Sequence, residues 1–116
     1  MHYKDLVVWQ RAMDLVVEVY RLTKKLPKDE LYGLTNQLRR AAVSIPSNIA
    51  EGNARTSSGD YLRFLSIARG SNAEVEIQLL ICVRLDYLAQ EDIETALELC
   101  DETGRILTTI IKKLRN

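Results

Sequence analysis

Catalysis by proton or group transfer needs a nucleophile, a base that titrates near neutrality or a metal cluster, and this sequence holds few candidates. The only histidine is His2, second in the chain, where a frayed terminus is expected rather than an organised site. Cys82 and Cys100 lack the close spacing of a metal motif or a redox pair. Both are expected as small buried hydrophobes, facing each other across two helices closely enough that a disulfide needs only favourable side-chain placement. No glycine-rich phosphate loop, histidine-containing metal motif or Ser/His/Asp set occurs. The expectation is therefore no catalytic residue, no cofactor, no metal site and no enzyme.

The remaining chemistry is polar and sits at helical spacing. Gln37, Arg40, Ser44, Ser47 or Asn48, and Glu51 recur every three to four residues and form one stripe. Ser71, Glu74 and Gln78, beside Arg69 and Gly70, form a second. In an antiparallel hairpin turning near residue 57, facing residue numbers add to about 114, so Arg40 meets Glu74, Ser44 meets Ser71 and Gln37 meets Gln78. This register predicts a largely buried Arg40–Glu74 pair, with Gly70, Ser71 and Ala73 small enough for close helix approach. The stripes read as a structural network fixing register, with Ser and Asn side chains satisfying backbone groups released by Pro46. A pocket built on Arg40, Asn48, Glu51 and Glu74 is the functional alternative, but an acid and an arginine without a nucleophile are weak catalytic equipment.

The elements that must position these stripes are helices. Leu6, Trp9, Met13, Val16 and Tyr20 mark one face of a first helix; Val8, Ala12, Leu15, Val19, Leu22 and Leu26 mark an adjacent one, and Pro27 ends it. Together they exceed the apolar stripe of a simple surface helix and invite association. Trp9 and Tyr20 read as core or interface rather than as a base-stacking platform. Thr35 is the expected N-cap of a second helix, kinked at Pro46. Gly52 to Gly59 breaks the chain, and Ser57 or Ser58 caps a third helix from about Asp60 to Leu85. A turn at 86–91 precedes a fourth helix with acids at its start and bases at its end. The expected fold is all-α: one domain, residues 1–116, an up-down-up-down antiparallel four-helix bundle with a proline-kinked second helix.

Composition agrees. Hydrophobic residues make up 47% of the 116, enough for a core, and 28% are charged, which suits neither a disordered tail nor a membrane span. The longest apolar run, Leu79 to Val83, is five residues, against the about 20 a spanning helix needs. Two isolated cysteines and no signal-like leader point to the cytoplasm.

The run from Gln37 to Gly52, QLRRAAVSIPSNIAEG, resembles the signature of the four-helix-bundle proteins encoded in intervening sequences of bacterial 23S ribosomal RNA genes. Ala68-Arg69-Gly70-Ser71 with Glu74 matches that family's second motif, and Asp5-Leu6-Val7-Val8-Trp9 with Ala12 its opening. The resemblance spans nearly the whole chain. It implies the bundle fold and a homopentamer, with RNA or DNA and a nucleic-acid-processing protein as partners. A more distant similarity is to the accessory variability protein of diversity-generating retroelements. No catalytic residues come with it.

Equal numbers of acids and bases, 16 each, give zero net charge, yet placement matters more than the total. In the expected bundle one end collects Lys4, Arg11, Arg55, Arg63, Arg105, Lys112, Lys113 and Arg115 against Asp5, Glu51 and Asp60, a surplus of five. The other end is acidic. The expected function is thus a non-enzymatic oligomer that associates with nucleic acid through these eight cations. The alternative is a protein-interaction or structural scaffold that never touches nucleic acid, its terminal lysines only complementing a helix dipole.

Overall fold

A computed structural model describes residues 2–116. After a 3-10 turn at Tyr3–Asp5 come α1 (Val7–Thr23), a 3-10 turn at Lys28–Glu30, α2 (Leu34–Asn53), α3 (Ser58–Arg84) and α4 (Gln90–Arg115). No strand occurs among the described residues.

Local chemistry sets most boundaries. Pro27 acts earlier than its position suggests: α1 closes at Thr23, and the Lys25 and Leu26 amides donate to the Leu22 and Thr23 carbonyls in tight i to i−3 bonds. Thr35 is not the cap of α2. It lies buried inside the first turn, and the carboxylate of Glu30 reaches past the turn to accept from the Leu34 amide at 3.1 Å. Ser57 caps α3, its hydroxyl oxygen accepting from the Asp60 amide at 3.1 Å. At α4 the Asp92 carboxylate accepts from the Ala89 amide at 2.9 Å. Gly52 is no breaker. It is buried in the last turn of α2, where a Cβ would stand 2.9 Å from Phe64 Cβ and from Tyr61 Cδ1. The α2–α3 link therefore shrinks to residues 54–57.

Each helix packs on its two chain neighbours around a square, with α1 closing onto α4. Side-chain contacts give the directions. Arg39 on α2 bonds Thr23 on α1, Ser44 bonds Ser71, Asn72 bonds the Cys100 carbonyl, and α4 pairs with α1 through Glu102–Arg11 and Asp92–Lys25. In the last pairing residue numbers rise on one helix as they fall on the other, so α1 and α4 are antiparallel, as are the other neighbours. Leu15, Leu22, Leu38, Ile45, Ile49, Leu65, Leu79, Ile93, Leu107 and Ile111 are fully buried along the axis. Each contributes about 1.5–3 kcal/mol by leaving water. This continuous apolar stack, running along a molecule 43 Å in its longest extent, is the scaffold from which the polar groups project.

Candidate nucleic-acid interface and the polar seam

Between α2 and α3 the predicted register holds at its centre. The Ser44 and Ser71 hydroxyls lie 2.9 Å apart, and Asn48 Nδ2 donates to Ser44 Oγ at 2.9 Å and to the Ser44 carbonyl at 2.8 Å. Pro46 sits inside an unbroken α2 and deprives the Ala42 carbonyl of its usual amide donor. Ser47 donates to the Val43 carbonyl at 2.8 Å. The Ser and Asn side chains thus serve the carbonyls of Val43 and Ser44, not the one that proline releases.

The expected Arg40–Glu74 pair is not buried. Both side chains are exposed, no ion pair joins them, and they stand on the two rims of an open cleft of about 320 Å³ with Gln37, Ala41, Ser44, Ser71 and Gln78. The two serines take the innermost positions, so the arginine and glutamate, a turn away, lie on arcs turned outward. Gln78 Oε1 is buried there with no partner. Of the expected small contacts only Ser71 faces α2; Gly70 and Ala73 are exposed on the outside of α3. Glu51 pairs with Arg55 at 3.9 Å, away from the seam. Arg69 leaves the seam as well and lines a cleft of about 620 Å³ between α3 and α4.

That second cleft has a residue the sequence reading missed. Asn72, only 5% exposed, donates from Nδ2 to the Cys100 carbonyl at 2.9 Å, while its Oδ1 has no partner. Gly104 makes room, since a Cβ there would lie 3.1 Å from Asn72 Nδ2. The available signal was phase: Ala68, Asn72, Val75 and Leu79 share one helical face, so Asn72 falls on the apolar side.

The thiols do not face each other. Asn72 opposite Cys100 puts α3–α4 neighbours at numbers adding to 172, so Cys82 lies level with residue 90, about ten residues or ~15 Å along the axis from Cys100. Both are free and buried. Burial, then nearby Glu30, pushes the Cys82 thiol up to about 11; burial, then Glu76, pushes Cys100 up to about 12. Neither thiol is a nucleophile at neutral pH. The remaining candidate base is exposed: His2 Nδ1 accepts from the Lys4 amide at 3.3 Å and its ring stacks on Tyr3, which meets Trp9 edge-on. Among the described residues no three His, Cys, Asp or Glu side chains are grouped to hold a metal. No helix there is long and apolar enough to cross a membrane.

The eight proposed cations divide. Arg11 pairs with Glu102 at 2.8 Å and Asp14 at 3.4 Å, and Arg105 with Asp101 at 3.1 Å. Arg63 pairs with Asp60 at 3.9 Å, and the Arg55 and Arg63 guanidiniums both lie 4.8 Å from the Phe64 ring centre. Asp14, Asp101 and Glu102 were missing from the sequence reckoning, although Asp14 and Asp101 stand at the i+3 and i−4 spacings that predict such pairs. With them the surplus of five falls to two. Lys4, Lys112, Lys113 and Arg115 are exposed and form no ion pair among the described residues. Trp9 is half-buried beside α2, and Arg39 covers the Tyr20 ring at 4.6 Å.

The molecule is thus an antiparallel four-helix bundle whose second helix runs through a proline beside a hydrogen-bonded Ser–Asn–Ser seam. Residues 4–109 match the sequence model of the 23S rRNA-intervening sequence protein family, and the chain belongs to that family. The signature run fills α2 from Gln37 to Gly52. The chain is similar to the crystal structure of a protein with unknown function from the S23 ribosomal protein family of Bacteroides thetaiotaomicron. The two are 28% identical with a TM-score of 0.85, over 91% of this chain and 99% of that one. No curated protein matches.

Proposed function

We propose that the protein is a non-enzymatic homo-oligomer, a pentamer by resemblance, that associates with nucleic acid in the cytoplasm. One observation supports this binding site: Lys112, Lys113 and Arg115 at the end of α4, with Lys4 beside the N-terminus of α1, are exposed cations that form no ion pair among the described residues. The other four of the original eight already answer to carboxylates, so they add less field. Cyclic repetition with the bundles along the symmetry axis multiplies the unpaired set on one face. Such a face suits phosphate contacts, which give affinity without reading sequence.

The test is an electrophoretic shift of a structured RNA and a duplex DNA at several salt concentrations. Lys112→Glu with Lys113→Glu should abolish binding, while Lys24→Glu with Lys25→Glu at the opposite end should leave it. Absence of wild-type binding, or loss with the second pair alone, overturns the site. The exposed apolar residues of α3, Ile67, Ile77, Leu80 and Ile81, favour the second reading, a protein scaffold without nucleic acid. That reading requires no shift even at the lowest salt.

A further inference from the structure

Resting on the oligomeric part of that reading, we infer how copies of this chain meet. The outer ridge of α3 on one copy seats in the groove between α1 and α2 of the next, with all bundles pointing the same way.

Neither surface is explained within one chain. α3 carries apolar residues on both sides: Val75 and Leu79 face the core, while Ile67, Gly70, Ile77 and Ile81, with Glu74 between them, recur at three- and four-residue steps on the outside. Ile77 is 58% exposed. A group of exposed large apolar side chains rimmed by charge marks a surface that another protein covers. At Gly70 a Cβ would meet nothing within 4 Å, so its own chain gives no reason for a glycine there, whereas a neighbour approaching closely would. The groove is a cleft of about 360 Å³ lined by Trp9, Met13, Val16, Val43 and Pro46. It carries the Trp9–Met13–Val16 face of α1, on which Met13 remains exposed.

Charge selects the occupant and its direction. Ser44 opposite Ser71 sets the levels on α2 and α3. Glu74 is level with Arg40, Arg63 with Glu51, and Arg84 with the turn that holds Asp29 and Glu30. Arg40 and Glu51 are exposed on α2, which forms one rim of the groove. When the next copy points the same way, Glu74 therefore comes level with Arg40, neither of which forms an ion pair among the described residues, while Arg63 and Glu51, also level, already answer to Asp60 and Arg55. The competing arrangement, two α3 ridges packed antiparallel about a two-fold axis through their centre, sets Glu74 against Glu74 and Arg63 against Arg84. Like charges at every level oppose it. Ridge and groove are different surfaces, so each added copy leaves one of each free until a ring closes.

Complementation between single variants tests this. Ile77→Asp damages only the ridge and Val43→Asp only the groove; both positions are exposed, and circular dichroism checks that the helices remain. By light scattering the wild type should show a multiple of the chain mass and each variant alone a single chain. Their equimolar mixture should show two, joined by the one intact ridge and the one intact groove. If Val43→Asp keeps the wild-type mass, or the mixture stays at one chain, the inference is wrong while the oligomer stands. A wild type that is itself a single chain overturns both. Should either variant lose helix, Ile67→Asp and Met13→Asp, also at exposed positions, replace them with the same expected masses.

Discussion

Asp86 ends α3 in a conformation that ordinarily favours glycine. Its φ is 61°, and its amide donates to the Val83 carbonyl while the Tyr87 amide donates to that of Cys82 at 2.9 Å. These are the two bonds of a Schellman cap, with aspartate at the left-handed position. A Cβ in that region costs about 1–2 kcal/mol, somewhat less for aspartate than for most residues. Asp86→Gly should therefore raise the free energy of unfolding by about 0.5–1 kcal/mol, read from the urea midpoint at unchanged slope. Equal or lower stability would mean that the aspartate side chain contributes more than its backbone strain costs.

Between elements, the acidic end of the bundle is tied by Glu30. One carboxylate oxygen accepts from the Leu34 amide and the other from the Tyr87 hydroxyl at 2.8 Å, joining the start of α2 to the α3–α4 turn. The Leu34 amide first, then Tyr87, holds this carboxyl below its ordinary range. A depressed folded pKa means that the bound carboxylate stabilises the fold fully above the unfolded value, about 4.3, and that the contribution fades as pH falls through the lower folded value. Glu30→Gln should unfold at lower urea than the wild type at pH 7, and the gap should narrow on acidification. A gap that stays constant to strongly acidic pH would show that the loss comes from packing rather than charge.

On the scale of the whole molecule, assembly and binding should be coupled through the basic end. If copies share a face, each bound nucleic acid meets the unpaired cations of several chains, and the fall of log affinity with log salt steepens with the number of phosphates neutralised. The ridge variant Ile77→Asp leaves Lys4, Lys112, Lys113 and Arg115 in place. It should bind RNA more weakly and with a shallower salt slope than the wild type, measured by titration over a salt series. Equal slopes would place all the phosphate contacts within one chain.

Helical periodicity alone determined the all-α class, four elements and the order in which they pack, because burial of an apolar face repeats every three to four residues whatever lies opposite. The signature run was equally legible, and the Ser44–Ser71 contact followed from counting residues away from a turn. What counting could not reach was direction around each helix axis: Arg40 and Glu74 share a level, but level does not say that their arcs point outward. Nor could it show that Glu30 displaces Thr35 as the cap of α2, that Gly52 is a contact rather than a break, or that Glu102 reaches Arg11 from α4. Each depends on a side chain reaching its partner through three-dimensional space. Residue spacing encodes which face of a helix is apolar, whereas the partner of a long polar side chain is chosen by the packing angles of helices far apart in the chain.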